Sequence, residues 1–298
     1  KVNGENVEFD QEGKFSATVI LQLGLNTISI VAVDENDNET VKTVTVLLRE
    51  EQPYDIGVFY FSTWNPVFAP ERMANARRIF GENGDWFSGM REALLAPSLW
   101  GHGPIPDREP LLGWYNDMEL ETLNNHILQA ASRGIDHFAF YYYWEWNGEG
   151  PRPGQNIEMW DESPYRHMMD YYIYYVADGS YNSNDWREKI VPKLISFMKK
   201  PYYKRSKSDD PEMNDRPILG FFGDMKSRLG GTNGRLKEEL EYLRSEAIKA
   251  GVGNPILLYN GYRTLENYID QGYDGFLPLC LAGIGLDDNI GVPEDYAS

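Results

Sequence analysis

Cysteine and positive charge are what this chain has least of. A single cysteine, Cys280, excludes an intrachain disulfide framework and any cysteine-based zinc site, and in its apolar run it reads as a small buried hydrophobe. Against 46 Asp and Glu stand only 28 Lys and Arg, a formal net charge of −18. Such a balance argues against nucleic acid or an anionic membrane as partner and suits a neutral or cationic substrate. The four histidines, His102, His126, His137 and His167, include no pair at metal-ligand spacing on a helix, so no metal site is expected. No Gly-rich phosphate loop follows a strand and no Gly-x-Ser-x-Gly elbow occurs. No apolar run reaches membrane-spanning length and no signal peptide is visible, although the chain begins at Lys1 and an upstream segment is expected before it.

Aromatic residues, by contrast, are plentiful, at 14% of the chain. A sugar presents a C–H face that stacks on a ring and hydroxyls that need polar partners at the rim, so tyrosine and tryptophan beyond the needs of packing point to carbohydrate. The densest stretch is residues 134 to 146, Gly-Ile-Asp-His-Phe-Ala-Phe-Tyr-Tyr-Tyr-Trp-Glu-Trp. Before it, Leu120, Leu123, Ile127, Leu128 and Ala131 recur at helical spacing, with Asn116 or Asp117 as N-cap and Gly134 as C-cap. A helix feeding a strand without polar alternation is one step of a parallel sheet covered on both faces.

Two regions are expected. Residues 1 to 49 read as short strands, at Val2-Asn3-Gly4, Phe15 to Leu21, Asn26 to Val33 and Thr40 to Leu48, in a partial β-sandwich whose first strands lie upstream. Asp34-Glu35-Asn36-Asp37-Asn38 reads as a hairpin turn rather than a calcium loop, since the glycine and terminal glutamate of an EF-hand are missing. Residues 50 to 53 form a polar linker. From Tyr54 to Ser298 the pattern becomes β/α, with strands at Ile56 to Phe61, Ile135 to Tyr143, Tyr171 to Ala177, Pro217 to Phe222, Pro255 to Tyr259 and Gly275 to Leu279. Helices are expected at Trp186 to Lys199, with Pro192 as a kink, and at Arg235 to Ala250. The fold class is therefore α/β, a (β/α)8 barrel two steps short of closure, behind an all-β Ig-like module.

Working side chains of such a barrel sit at the carboxyl ends of its strands. Those ends carry Trp64 and Asn65, then Tyr142, Trp144, Glu145 and Trp146, then Asp178, Asp224 and Asn260. Glycoside hydrolysis needs a carboxylic acid and a carboxylate facing one bond, which makes Glu145, Asp178 and Asp224 the catalytic candidates. Trp64, Asn65, Trp86, His102, Trp114, Tyr142, Trp144, Trp146 and Asn260 are the candidates for substrate contact. Trp86, His102 and Trp114 fall in the loop from Asn65 to Trp114, which is too long for a mere connector. Each of these residue types also has ordinary packing, capping and loop roles.

From about Tyr54 onward the chain resembles the glycoside hydrolase family 99-like and WbsX-like group. The resemblance lies in Trp64-Asn65-Pro66, Gly101-His102, Gly113-Trp114-Tyr115-Asn116-Asp117, GIDHFAFYYYW, and Arg216-Pro217-Ile218-Leu219. It implies a barrel acting on α-linked, mannan-like glycans without a redox cofactor. Asn65 stands where relatives carry His, and Val176-Ala177-Asp178 where many carry Trp-Ala-Asn. The family's late Asn-Glu-Trp-x-Glu-Gly segment does not occur after Leu279, so the main acid and base are expected beyond Ser298. Residues 1 to 49 resemble the bacterial Ig-like modules of secreted polysaccharide enzymes. The joint expectation is a bacterial, extracellular, periplasmic or cell-surface glycoside hydrolase, with a noncatalytic glycan-binding protein or a WbsX-like polysaccharide-biosynthesis protein as alternatives.

Overall fold

The computed structural model describes residues 1–62, 65, 67, 115–145, 150–177, 183–223, 225–229, 231–260 and 269–277. They form two sheets: an antiparallel pair, β1 (Gly24–Val33) and β2 (Glu39–Leu48), and a six-stranded sheet. The six strands are β3 (Gly57–Tyr60), β4 (His137–Tyr143), β5 (Asp170–Val176), β6 (Ile218–Phe222), β7 (Ile256–Asn260) and β8 (Gly275–Phe276). All neighbours are parallel, and their order in the sheet is their order in the chain. A parallel sheet wound in one direction keeps its crossovers on one face, which is the wall of an α/β barrel.

Side-chain contacts identify that face. Phe138 and Phe140 meet Trp160 of the 3-10 segment Asn156–Glu162 edge-on, at 6.4 and 5.7 Å between centroids. Tyr142 meets Phe197 of α2 (Val191–Met198), while Tyr175 and Phe221 meet Trp186. The helix Leu120–Ser132, α1, buries Leu123, Ile127 and Ala131 in the same core, and Gly134 ends it at φ +87°. Asn116 caps the turn ahead of α1 by accepting from Met118 N–H (2.9 Å), so the helix starts later than the sequence suggests.

The expected kink at Pro192 takes another form. A π-helical turn, Trp186–Ile190, precedes α2, and Val191 N–H reaches back to Trp186 O. A proline ring clashes with the carbonyl four residues earlier, and widening the turn relieves that clash. The helix Asn233–Lys249, α3, is capped by Thr232, whose Oγ1 accepts from Arg235 N–H (3.1 Å).

Within residues 1–49 the expected strands Asn26 to Val33 and Thr40 to Leu48 form β1 and β2, and Val2 bridges Ile30, but one expected strand is absent. Phe15 to Leu21 joins no ladder, and among the described residues this region holds one layer, the β1–β2 hairpin. The acidic stretch is the expected hairpin turn: Asp34 Oδ1 accepts from Asn36 and Asn38 N–H, at 2.8 and 2.9 Å, with Asp37 at φ +61°. The hairpin is tied to the amino ends of the parallel strands. Arg49 donates to Asp136 Oδ1 (2.6 Å) and Ile135 O, and Asp136 Oδ2 accepts from Ile56 N–H.

At those same amino ends Lys204 is buried, 2.5 Å from Asp55, and His137 Nδ1 lies 3.0 Å from the other oxygen of Asp55. Burial works against the Asp55 carboxylate, but Lys204 and His137 outweigh it and hold its pKa below the ordinary value. A cleft of about 740 Å³ runs from Leu47 past Asp136, His167 and Lys207 beside this network. Charged networks at the amino face of a barrel serve stability rather than chemistry.

On the face away from the helices, large side chains lie over small ones. A methyl group built on Gly220 would sit 2.4 Å from Tyr174 Cδ2, and one on Gly57 would sit 2.0 Å from His137 Nε2. Gly220→Ala is therefore expected to destabilise by about 1–3 kcal/mol through overpacking, and an unchanged urea midpoint would contradict the packing described. Burial also holds the pKa of His126 below its ordinary value, its Nδ1 lying 2.6 Å from Tyr60 Oη. The unfolded chain protonates near pH 6.5 and the folded one only below that, so this contribution is complete above about pH 6.5 and lost as pH falls. The wild-type melting temperature should drop more between pH 7.5 and 5.5 than that of His126→Gln, whereas equal drops would contradict it.

Candidate functional site at the carboxyl strand ends

The strand register carries one row of residues across the carboxyl ends of the strands: Tyr143 beside Val176, Val176 beside Phe222, and Phe222 beside Asn260. Beneath it lies a second row, Tyr141, Tyr174, Gly220, Leu258 and Gly275. Side chains on a strand alternate between faces, and these rows occupy the face opposite the helices. Their rings form a continuous cluster. Tyr141 lies 4.9 Å from Tyr174, 5.2 Å from Phe61 and 6.3 Å from Phe222, and it stacks on Tyr143 at 6.4 Å with planes 19° apart. Phe59 meets Tyr174 at 4.9 Å. Tyr174 is fully buried, Tyr141, Tyr143 and Phe222 are half-buried, and Phe61 is 45% exposed. The cluster thus has a buried floor and an open aromatic rim.

The loop after β4 is braced against this rim. Trp144 bridges Pro151, Glu145 N–H donates to Gly150 O (2.7 Å), and Arg152 N–H donates to Tyr143 O (3.1 Å). The Gln155 side chain accepts from Tyr143 N–H (2.6 Å) and donates to the carbonyls of Tyr143 (3.0 Å) and Arg152 (2.7 Å). Alternation carried one step beyond the strand puts Glu145, partly exposed, in phase with Tyr141 and Tyr143. A partly exposed carboxylate beside an aromatic rim can accept from sugar hydroxyls or exchange a proton with a glycosidic oxygen.

Three expected contact residues have other positions. Tyr142 is 0% exposed on the helix-facing side, its ring against Phe197 and its hydroxyl donating to Glu158 (3.2 Å). Burial first, then the Glu158 charge, raises its pKa. Trp144 is likewise buried, so neither ring offers a face to a sugar. Asn65, 0% exposed, donates to Gly154 O (2.9 Å) and accepts from Val67 N–H (3.1 Å), pinning the segment after β3 to the loop after β4. Asn260 does lie in the carboxyl-end row, as Glu145 lies at its edge. Trp64, Trp86, His102, Trp114, Trp146, Asp178, Asp224 and Cys280 lie outside the described residues.

Phe61, Tyr141, Tyr143, Tyr174 and Phe222 are not among the sequence candidates. The continuous run Phe140 to Trp144 hides which residues face which way, and only the neighbouring strands resolve it. Among the described residues no three His, Cys, Asp or Glu side chains converge as metal ligands, and no helix is long and apolar enough to cross a membrane.

Residues 1–49 match the family model described as glucodextranase, domain B. No curated protein matches the chain. Among solved structures, the GH99 endo-alpha-mannosidase from Bacteroides thetaiotaomicron in complex with BIS-TRIS-propane is similar at 13% identity and a TM-score of 0.45, over 76% of this chain and 58% of that one. A second structure of a GH99 endo-alpha-mannosidase from the same organism gives 11% identity and a TM-score of 0.46, over 74% and 60%. The chain thus spans less than two thirds of the length of these solved structures.

Face assignment is open to a stability test. Tyr142→Ala should cost about 3–5 kcal/mol, as for other large core aromatics. Tyr143→Ala, at the half-buried rim, should cost no more than about half as much, and equal losses in urea unfolding would contradict the assignment.

Proposed function

We propose that this chain processes an α-linked, mannan-like glycan, as a glycoside hydrolase using carboxylate acid/base chemistry. The aromatic rim at the carboxyl strand ends, Phe61, Tyr143 and Phe222 over a floor of Tyr141 and Tyr174, carries the reading. Rings of this kind stack on sugar faces, and aromatic rings with a few polar groups among them are what lines a small-molecule or glycan site. Glu145 at the edge supplies one carboxylate. Asp178 and Asp224, which follow β5 and β6 in the chain, are proposed as further carboxylates of the same site. The motif resemblance to the family 99-like group, the net charge of −18 and the glucodextranase domain B match in residues 1–49 agree with an uncharged glycan and with a setting outside the cell.

The test is release of reducing ends from α-linked mannan by the full-length protein, with the double variant Glu145→Gln, Asp178→Asn alongside. Turnover by the wild type that falls at least about 100-fold in the double variant supports the assignment, since positioned acid/base groups contribute about that much or more. Undiminished turnover removes both residues from the mechanism. Saturable binding with no turnover makes the protein a glycan-binding one.

A further inference from the structure

The polar member of the carboxyl-end row is Asn260, and its side chain carries an unusual feature. The residue is 4% exposed, and its amide nitrogen has no hydrogen-bond partner among the described residues. Its direction follows from its neighbours. Tyr259 stacks on Tyr273 at 5.1 Å, and Tyr273 packs on Phe221 at 5.7 Å, which is the helix-facing core. Leu258, two residues back, lies over Gly275 on the opposite face, 3.1 Å from where a methyl group would stand. Asn260 shares the phase of Leu258 and therefore faces the aromatic cluster, beside Phe222.

Asn156 Oδ1 and Trp160 Nε1 are likewise buried with no partner among the described residues, but they belong to the 3-10 segment on the helix-facing side. A buried amide donor without an acceptor is destabilising, and such groups persist where they serve a ligand. From this geometry we infer that Asn260 is a specificity residue, whose amide N–H donates to a ring or hydroxyl oxygen of the sugar held against Phe222 and Tyr143. The inference rests on the glycan reading above and adds which strand fixes the sugar's orientation. An aromatic rim holds any sugar face, whereas a directed donor between β6 and β8 selects the sugar whose oxygen falls at that point.

Asn260→Leu separates this role from a structural one. Leucine keeps the branched shape, with methyl groups in place of the amide oxygen and nitrogen, and removes the uncompensated amide, so the melting temperature should stay level or rise. Affinity for short α-linked mannan oligosaccharides, measured by titration calorimetry, should weaken about tenfold, the effect of one lost hydrogen bond of about 1.4 kcal/mol. Asn260→Ala should weaken binding similarly and provides the measurement if the leucine variant fails to fold. A lower melting temperature with unchanged affinity makes Asn260 structural and overturns the inference. Unchanged affinity in both variants, with a wild type that binds, overturns it while the glycan reading stands. A wild type that binds none of these oligosaccharides overturns both.

Discussion

Seven consecutive residue pairs join β4 and β5 in parallel register, from His137 beside Asp170 to Tyr143 beside Val176, and the rest of the molecule hangs on that ladder. Its phase decides that Phe138, Phe140 and Tyr142 face the helices, while Tyr141 and Tyr143 face the other way with Tyr174 and Phe222. A slip of one residue would exchange the two sets and bury the rim under α2. The register is held from both sides. Trp160 wedges between Phe140 and Tyr171, and on the far face Gly220 and Gly57 leave room for Tyr174 and His137.

Charge follows the same polarity along the strands. The amino ends carry a partly buried network of Arg49, Asp136, Asp55, Lys204 and His137, which ties the β1–β2 hairpin and the strand starts together. Breaking such a network leaves a buried charge uncompensated, so its members are fixed by stability. The row across the carboxyl ends carries aromatic rings, a valine and the Asn260 amide instead, with the partly exposed Glu145 at its edge. This asymmetry leaves the carboxyl face clear of the charges that stability fixes at the amino face.

Much of the fold is legible from residues 54 onward. The apolar runs at Ile135 to Tyr143, Tyr171 to Ala177 and Pro217 to Phe222 become strands within two residues of the expected limits, because each is bounded by a helix end or a proline. The helix spacing of Leu236, Leu240, Leu243 and Ala247 is equally direct. Facing directions are not legible, since an unbroken aromatic run carries no alternation and offers Tyr142 as readily as Tyr141 and Tyr143, which line the open face. Asn65 looked like a contact residue because amides serve sugars and loops alike, and only its bonds to Gly154 and Val67 decide between them. In residues 1–49 the β-branched composition of Phe15 to Leu21 suggested a strand, yet a strand needs a neighbour to pair with and this segment has none among the described residues.

The most direct measurement is a crystal structure of the chain soaked with an α-linked mannan oligosaccharide. The account predicts a sugar ring lying on Phe61, Tyr143 or Phe222, within hydrogen-bond distance of the Asn260 amide and with Glu145 at its edge. A sugar bound instead in the cleft beside Lys204 and His167, or against the helix-facing side, would contradict it.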